Sequence, residues 1–221
     1  MSMPGRIRRG ISRRLGAVKW KLRNMYAIRQ DKKRGVDFYT VVSNEGTPEA
    51  LAGNHIYQAT SLLYGRDVRE YLCKQDHTDD RVIDVGCGKG RMLELFTELG
   101  FAKADGLEYS PELSEIARKN MKTLGLPCQV FTGDAALFDG YDAYNWFYLF
   151  NPFNEKVMRK FIGKLEESLR RNPRAITVLY INPTCEKVFA DAGFHMEMSG
   201  RENRRICLIT NKGMAEGAPE A

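Results

Sequence analysis

The sequence has few of the residues from which metal centres and disulfide frameworks are built. Its 221 residues include three histidines, and its five cysteines are odd in number and scattered (Cys73, Cys87, Cys128, Cys185 and Cys207). No two cysteines have the CxxC spacing of a zinc or redox motif. This composition excludes a small disulfide-stapled secreted fold, shows no metal motif, and is typical of a reducing compartment. We therefore expect a cytoplasmic protein that binds no metal.

Long hydrophobic runs are also missing. No apolar stretch approaches the roughly 18 residues that a membrane-spanning helix needs. The N-terminus lacks the continuous apolar segment of a secretory signal. Apolar residues make up 43% of the chain and charged residues 28%, the proportions of an ordinary globular protein. Any membrane attachment is thus expected to be peripheral.

Positive charge is concentrated near one end. Twelve basic residues and a single acid lie between Arg6 and Arg34, a local charge of +11 in a chain whose net charge is +6. The remainder is therefore net acidic. Within residues 6–30, apolar residues recur every three or four positions, as on an amphipathic helix: Ile7, Ile11, Leu15, Val18, Leu22 and Met25. Such a helix could pack on its own domain or on a second copy, or contact a lipid surface or nucleic acid, and a cleaved presequence has a similar pattern.

The rest of the chain alternates short buried strands with helices, which is typical of a parallel sheet with crossover helices. The predicted strands are 81–85, 104–109, 128–133, 145–150, 175–181, 194–199 and 204–210. We predict an α/β fold, doubly wound, with a mostly parallel seven-stranded sheet, a C-terminal antiparallel hairpin and an N-terminal basic helical extension. The expected division is an extension over 1–55 that could act as a lid or attachment arm, a domain over 56–212, and a flexible tail over 213–221.

The stretch DVGCGKG (84–90) follows the first predicted strand and has glycine at every second position. Glycine permits backbone conformations and close approaches that other residues do not. A helix is predicted to follow, so we expect free backbone N–H groups facing a ligand here. The spacing is not that of a P-loop, because Lys89 precedes Gly90 instead of Ser or Thr. It is not the dinucleotide fingerprint either, because Arg91 stands where the last glycine should be.

Carboxylates end the first three predicted strands or follow them directly. Glu108 could accept hydrogen bonds from both hydroxyls of a ribose. Asp134 could accept from an exocyclic amine while the N–H of Ala135 donates to a ring nitrogen, as adenine requires. Ligands of open α/β sheets bind at the carboxyl ends of the strands, so these groups should meet around the glycine turn. With Asp84 preceding the turn, an adenosine carrying a cationic group fits better than a pyrophosphate.

The stretches VIDVGCGKGRML, GLEYSPELSEIARKN, GDAALF and LFNPF together resemble the class I (seven-strand, Rossmann-like) S-adenosylmethionine-dependent methyltransferase superfamily. The resemblance implies S-adenosyl-L-methionine as cofactor, with Asp84 near its amino-acid moiety and Glu108 on its ribose. It places Tyr109, Asp134 and Ala135 at the adenine. The methionine portion would pass close to the backbone of four residues of the turn: Gly86, Cys87, Gly88 and Gly90.

The fourth predicted strand ends in Asn151-Pro152-Phe153, where this superfamily places catalytic residues. In its amine-methylating branches, an Asn/Asp-Pro-Pro-aromatic turn accepts hydrogen bonds from the target NH₂ and stacks its ring on a planar substrate. This chain lacks the second proline and Phe153 comes one residue early, so the acceptor role of Asn151 carries over better than the stacking role. Related enzymes build a substrate lid before the core, where this chain has four candidate residues: Tyr39, His55, Tyr57 and Tyr64.

We therefore predict a methyltransferase that acts on an amine nitrogen of an unidentified acceptor. A small molecule or protein is favoured over nucleic acid, because the body of the chain is net acidic. The alternatives are methylation of a small-molecule oxygen or of a protein lysine, a nicotinamide oxidoreductase, and a non-catalytic nucleotide-binding module tethered through its N-terminal helix. Residues 6–30 could provide a membrane-surface or self-association contact.

Overall fold

The computed structural model describes residues 21–40, 62–201 and 204–212. Residues 21–34 are helical and are called α1. A short 3₁₀ helix, Gly140–Ala143, precedes the fourth strand. The other elements follow in the order α2 (Leu62–Leu72), β1 (Arg81–Val85), α3 (Arg91–Glu98), β2 (Lys103–Glu108), α4 (Pro111–Leu124), β3 (Val130–Thr132), β4 (Trp146–Phe150), α5 (Glu155–Arg171), β5 (Thr177–Ile181), α6 (Glu186–Asp191), β6 (His195–Arg201) and β7 (Arg204–Thr210).

The seven strands form one sheet in the order β3-β2-β1-β4-β5-β7-β6. Strands β1 to β5 pair in parallel. Strand β7 lies antiparallel between β5 and β6. The order reverses between β1 and β4, which is where open α/β sheets form their ligand crevice. The predicted fold class, with its C-terminal antiparallel hairpin, is confirmed.

Local signals in the sequence set the ends of the helix between β2 and β3. The Ser110 hydroxyl accepts a hydrogen bond from the Leu113 N–H, and Pro111 occupies the first helical position. Gly125 ends the helix with a φ of 66°, a left-handed conformation that favours glycine. Because this helix begins directly after β2, its N-terminus lies beside the Glu108 carboxylate, at the edge of the sheet where the site is expected.

The sheet is buried on both faces, as its near-continuous apolar strands require. Neighbouring residues of one strand therefore belong to different cores. Ile83 packs with Phe147, Phe161 and Phe189 under α5 and α6. The preceding residue, Val82, packs on the other face with α2 and α3, together with Leu72, Phe96, Tyr148 and Leu179.

The end of α1 and the segment after it pack on the domain. Ala27, Val36, Phe38 and Tyr39 share a third core with side chains of the glycine turn, α3, α4 and β3: Cys87, Leu93, Ala117, Met121 and Val130. The buried Asp31 carboxylate accepts hydrogen bonds from the N–H groups of Phe38 and Tyr39, at 2.8 and 3.1 Å. Residues 27–39 are thus held against the first βα unit of the sheet.

Several predictions from the sequence fall outside the described residues: the boundary near residue 55, the tail 213–221, the lid candidates His55 and Tyr57, and the stripe positions before residue 21. Two members of that stripe, Leu22 and Met25, are described and are exposed. Among the residues that the structure describes, no helix has the length and apolar character needed to cross a membrane.

Candidate active site

The three glycines of the turn after β1 all have left-handed backbone conformations. Their φ angles are 84° at Gly86, 53° at Gly88 and 82° at Gly90. The N–H groups of Gly86 and Cys87 donate to the Leu107 carbonyl, at 2.8 and 3.1 Å, and the N–H of Gly90 donates to the Cys87 carbonyl. The expectation of free N–H groups is therefore wrong at these positions. Glycine is needed here for its conformation.

At Gly86 and Gly90, neighbouring elements fill the space that a side chain would occupy. A Cβ at Gly86 would lie 2.7 Å from the Cβ of Pro152, so the turn after β1 packs directly on the turn after β4. A Cβ at Gly90 would lie 3.3 and 3.4 Å from the Met121 and Ala117 side chains of α4. The glycine turn (84–90) and the Asn151-Pro152-Phe153 turn thus lie side by side, where the strand order reverses.

The carboxyl groups of Asp84 and Glu108, at the ends of β1 and β2, form an acidic pair whose two members differ in their hydrogen-bond donors. The two oxygens of Glu108 accept from the N–H groups of Gly88 and Ser110, at 2.8 and 2.9 Å. Asp84 is buried, and among the described residues no group donates to its carboxyl and no cation contacts it. Burial raises the pKa of Asp84 well above its usual value, and the Glu108 charge raises it further. A cationic ligand bound beside Asp84 would therefore favour its ionised form.

The loop after β3 places the third predicted carboxylate at the same edge of the sheet. Asp134 accepts from the Ala136 N–H at 2.8 Å through one oxygen. The N–H of Gly133 donates to the Glu108 carbonyl at 2.9 Å, which ties this loop to the end of β2. Ala135 is buried next to Asp134, and Tyr109 is half-buried after Glu108. The residues predicted for ribose and adenine are thus on adjoining loops.

In the turn after β4, Asn151 has an unusual backbone conformation and a side-chain oxygen that already accepts hydrogen bonds. Asn151 has a φ of 42°, a conformation that asparagine tolerates better than most residues. Its side-chain oxygen accepts from the Thr184 hydroxyl at 2.6 Å and from the Tyr180 hydroxyl at 3.4 Å. The ring of Phe153 is buried against Phe161, with ring centres 5.9 Å apart. Of the three predicted catalytic residues, Asn151 has its amide at the site, Pro152 contacts the glycine turn, and Phe153 anchors the loop in the core.

Comparisons with known proteins agree with this geometry. A family model described as "Methyltransferase domain" matches residues 82–172. The ribosomal protein L11 methyltransferase of Escherichia coli O8 (strain IAI1) is 33% identical over 79 residues, which are 36% of this chain and 25% of that protein. The chain thus matches about a quarter of the length of this curated relative.

Solved structures share the fold at lower identity. An RNA methyltransferase from Salinibacter ruber, in complex with S-adenosyl-L-homocysteine, has a TM-score of 0.56 at 21% identity, covering 73% of this chain and 97% of that one. A ribosomal protein L11 methylase from Lactobacillus delbrueckii subsp. bulgaricus has a TM-score of 0.52 at 19% identity, covering 66% and 76%. Residues 82–172 match a methyltransferase domain, and the fold is the Rossmann-like fold of methyltransferases. These matches agree with the family that the sequence resembles and indicate no subfamily.

The structure adds residues to this candidate site that the sequence pattern did not indicate. Tyr180 and Thr184 hold the Asn151 amide from the end of β5. Asn182, directly after β5, also has a left-handed backbone, with a φ of 49°, and is exposed at the same edge. The available signal was a repeated dipeptide, because both β4 and β5 run directly into Asn-Pro.

Lys89 is a further residue to which the sequence pattern assigns no role. It lies inside the glycine turn, yet its side chain is buried. Its ammonium donates to the Asp37 carboxylate at 2.8 Å and to the hydroxyl and carbonyl of Thr40, at 2.6 and 3.0 Å. Lys89 therefore joins the cofactor turn to the segment that follows α1.

The buried Cys87 thiol packs against a glycine of β2, which gives a stability prediction. A Cβ at Gly106 would lie 2.5 Å from the Cys87 sulfur and 2.9 Å from its Cβ. Burial, with the charges of Asp84 and Glu108, raises the pKa of this thiol, so its role here is packing. We expect Gly106→Ala to lower the free energy of unfolding by about 1–3 kcal/mol through overpacking, as measured by urea denaturation.

The matched control is Gly163→Ala in the interior of α5, where an added Cβ meets nothing within 4 Å. Glycine inside a helix costs about 0.5–1 kcal/mol relative to alanine, so this variant should be more stable than the wild type. Equal effects of the two substitutions would contradict the packing of Cys87 on Gly106.

Proposed function

We propose that this chain is an enzyme that transfers a methyl group from S-adenosylmethionine to an amine nitrogen. The observation that carries the cofactor part of the proposal is the buried Asp84 carboxyl, which has no described donor or cation. A ligand with an ammonium and a sulfonium group would supply positive charge beside Asp84 and Glu108, whereas a pyrophosphate would add negative charge to a pair of acids.

The residues present fit this cofactor. Each carboxylate oxygen can accept two hydrogen bonds, so Glu108 can hold ribose hydroxyls while still accepting from Gly88 and Ser110. One Asp134 oxygen accepts from Ala136, and the other is available for the adenine amine. Tyr109 and Ala135 would complete the adenine pocket. Backbone atoms of Gly86, Cys87, Gly88 and Gly90 would line the methionine portion.

The cofactor supplies a methyl group bonded to a positively charged sulfur. The chain's own contribution is to align an acceptor atom with that group, and positioning of this kind accounts for much of the rate in displacement reactions. Asn151 lies on the turn that packs against Gly86, next to the proposed cofactor turn. It is therefore the residue best placed to orient the acceptor.

Support for a nitrogen acceptor comes from the Asn151-Pro152 turn and from the acidic cleft, which would attract a protonated amine. That amine must release its proton to solvent before its nitrogen can accept the methyl group. One observation favours a second candidate, transfer to oxygen. Tyr180 accepts from the N–H groups of Thr184 and Cys185, at 3.3 and 3.4 Å, so its proton is directed to the Asn151 oxygen. That oxygen is engaged, and the Asn151 NH₂ would then face the cleft as a donor to an oxygen atom.

Cofactor binding is tested by thermal shift with the purified full chain. We expect S-adenosylhomocysteine and S-adenosylmethionine to raise Tm in proportion to their affinity, and NAD to leave it unchanged. A larger shift with NAD would favour the oxidoreductase and overturn the proposal. Binding without turnover on any acceptor would favour a non-catalytic module.

The role of Asn151 is tested by two substitutions, because one alone would mix backbone and amide effects. Asn151→Gly keeps the left-handed backbone and removes the amide, and we expect turnover to fall about 10- to 100-fold with cofactor affinity nearly unchanged. Asn151→Asp retains acceptor oxygens but removes the donor. Under transfer to nitrogen it should keep more activity than Asn151→Gly, and under transfer to oxygen it should be no better.

The acceptor panel follows from the chemistry of the site and from the relatives. It should contain small amines, hydroxyl and carboxyl compounds, RNA and ribosomal protein, since the similar proteins include an RNA methyltransferase and ribosomal protein L11 methyltransferases. Methyl transfer from labelled cofactor is the measurement. Incorporation into an amine supports the proposal, and incorporation only into oxygen compounds would replace it with the second candidate.

A further inference from the structure

Helix α1 presents two different faces. Ala27, Ile28 and Asp31 recur at helical spacing and face the domain, where Ala27 and Asp31 are buried. On the opposite face, Leu22, Met25 and Tyr26 are about 60% exposed, at 60%, 59% and 60%. Of the five large apolar side chains that the described residues leave exposed, three are therefore on this helix, within five residues.

Cations surround this apolar triad, Leu22-Met25-Tyr26. Lys21, Arg23, Arg29, Lys32 and Lys33 are all exposed, and none forms an ion pair with another described residue. Arg29 and Lys33 continue the outward face one and two helical turns beyond the triad. Elsewhere in the described chain, many exposed basic side chains have acidic partners, such as Arg69 with Glu98, Arg159 with Glu155 and Arg171 with Asp142. The outward face of α1 is thus both apolar and uncompensated in charge.

We propose that this face of α1 attaches the protein to an anionic lipid surface. Apolar side chains that enter the headgroup region, flanked by lysine and arginine on the same helix, are the chemistry that binds helices to anionic membranes. A second copy is disfavoured, because two such faces would bring like charges together. Nucleic acid would use the cations but would leave the apolar triad exposed to water. The inference does not depend on the proposed methyl transfer.

The attachment would also orient the cleft. Arg34 at the end of α1 pairs with the buried Glu94 of α3. Lys89 of the glycine turn holds Asp37 and Thr40, directly after the helix. The lipid-facing helix and the segment after it are therefore joined to α3 and to the glycine turn by partly buried polar contacts. The surface to which the helix attaches would lie at a fixed orientation relative to the active site.

The test is co-sedimentation of the full chain with vesicles of phosphatidylcholine alone and of phosphatidylcholine with roughly a third phosphatidylserine. We expect binding to the anionic vesicles only, weakening as salt is raised. Neutralising three cations (Arg29→Gln, Lys32→Gln, Lys33→Gln) should weaken partitioning on the order of a hundredfold, at about 1 kcal/mol per charge. Replacing the triad (Leu22→Ser, Met25→Ser, Tyr26→Ser) should weaken it at least about tenfold.

Matched controls separate this surface from general effects. Lys119→Gln, Lys156→Gln and Lys160→Gln remove the same charge from exposed positions on α4 and α5, and Met198→Ser removes an exposed apolar side chain on β6. These variants should bind the anionic vesicles like the wild type, and every variant should keep the wild-type Tm, because the altered side chains are exposed.

Three outcomes would overturn the proposal. The first is no binding to anionic vesicles, or equal binding to both kinds. The second is loss of RNA or DNA binding on neutralising the cations with no effect of the triad substitutions, which would assign the face to nucleic acid. The third is a dimer in light scattering that the triad substitutions convert to monomer, which would assign it to a second copy.

Discussion

Replacing Asp84 with asparagine should stabilise the ligand-free protein and at the same time abolish tight cofactor binding. Burial and the neighbouring Glu108 raise the pKa of Asp84, so ionising it in the folded state is unfavourable. The stability linked to this group is present at low pH and is lost as the pH rises through its raised pKa. Asparagine does not ionise, so the variant does not lose stability in this way as the pH rises. We expect a higher Tm than wild type near neutral pH and a smaller difference near pH 5.

The same substitution should weaken S-adenosylhomocysteine binding about 10- to 150-fold, the value of a hydrogen bond to a charged group. Binding of the ligand's ammonium requires the ionised carboxylate, so wild-type affinity should rise with pH while that of Asp84→Asn should not. Isothermal titration calorimetry at several pH values measures both. Because binding releases the Asp84 proton, the apparent enthalpy should also depend on the buffer in the wild type alone.

Asp105→Asn is the matched control for Asp84→Asn. Asp105 is also buried, but it accepts from the Tyr144 hydroxyl at 2.6 Å and the Gln129 N–H at 2.8 Å, and pairs with Lys103. Its loss should lower Tm and leave cofactor affinity unchanged. If Asp84→Asn instead lowered Tm with affinity intact, Asp84 would be a structural residue and the proposed site would be wrong.

Glu108→Gln should lower both Tm and cofactor affinity. Both oxygens of Glu108 accept from backbone N–H groups, of Gly88 and Ser110, so an amide NH₂ in place of one oxygen would face a donor. An unsatisfied buried donor costs about 1–3 kcal/mol, which for a chain of this length corresponds to roughly 2–10 °C in Tm. The glycine turn loses a contact and the ribose loses an acceptor, so S-adenosylhomocysteine affinity should fall about 10- to 100-fold.

Differential scanning fluorimetry and calorimetry on the two variants together make the stronger test. The two acids end neighbouring parallel strands, yet their neutral analogues are expected to shift Tm in opposite directions. A Glu108→Gln protein with wild-type Tm would show that its backbone contacts contribute little. One with wild-type affinity would remove Glu108 from the cofactor site.

Much of the architecture was predictable because its signals are local. The order of strands and helices follows from apolar runs bounded by turn residues, and Ser110, Pro111 and Gly125 mark the ends of α4 where the structure has them. The place of the site follows as well, because parallel strands of an open sheet bring their carboxyl ends to one edge. The sequence alone therefore places four residues at one edge of the sheet: Asp84, Glu108, Asp134 and Asn151.

The hydrogen-bond partners of the groups at this edge were not predictable from the sequence. The sequence predicts free N–H groups in the glycine turn, but the N–H groups of Gly86 and Cys87 donate to the Leu107 carbonyl. Asn151 was expected to offer an oxygen, but Thr184 and Tyr180 already donate to it. Each of these partners comes from another strand end or a neighbouring strand, and sequence spacing carries no information on which donor reaches which acceptor across a sheet.

The amino-acid sequence by itself determined the α/β fold and the edge of the sheet at which a ligand would bind, because periodicity, turn residues and strand-end acids are local features of the chain. Only the tertiary structure decided that Asp84 lacks a described partner while Glu108 accepts from the N–H groups of Gly88 and Ser110. It also decided that Lys89 reaches back to Asp37 and that α1 turns its apolar triad outward. Burial and hydrogen-bond partnership depend on distances between residues remote in sequence, and those distances exist only once the chain has packed.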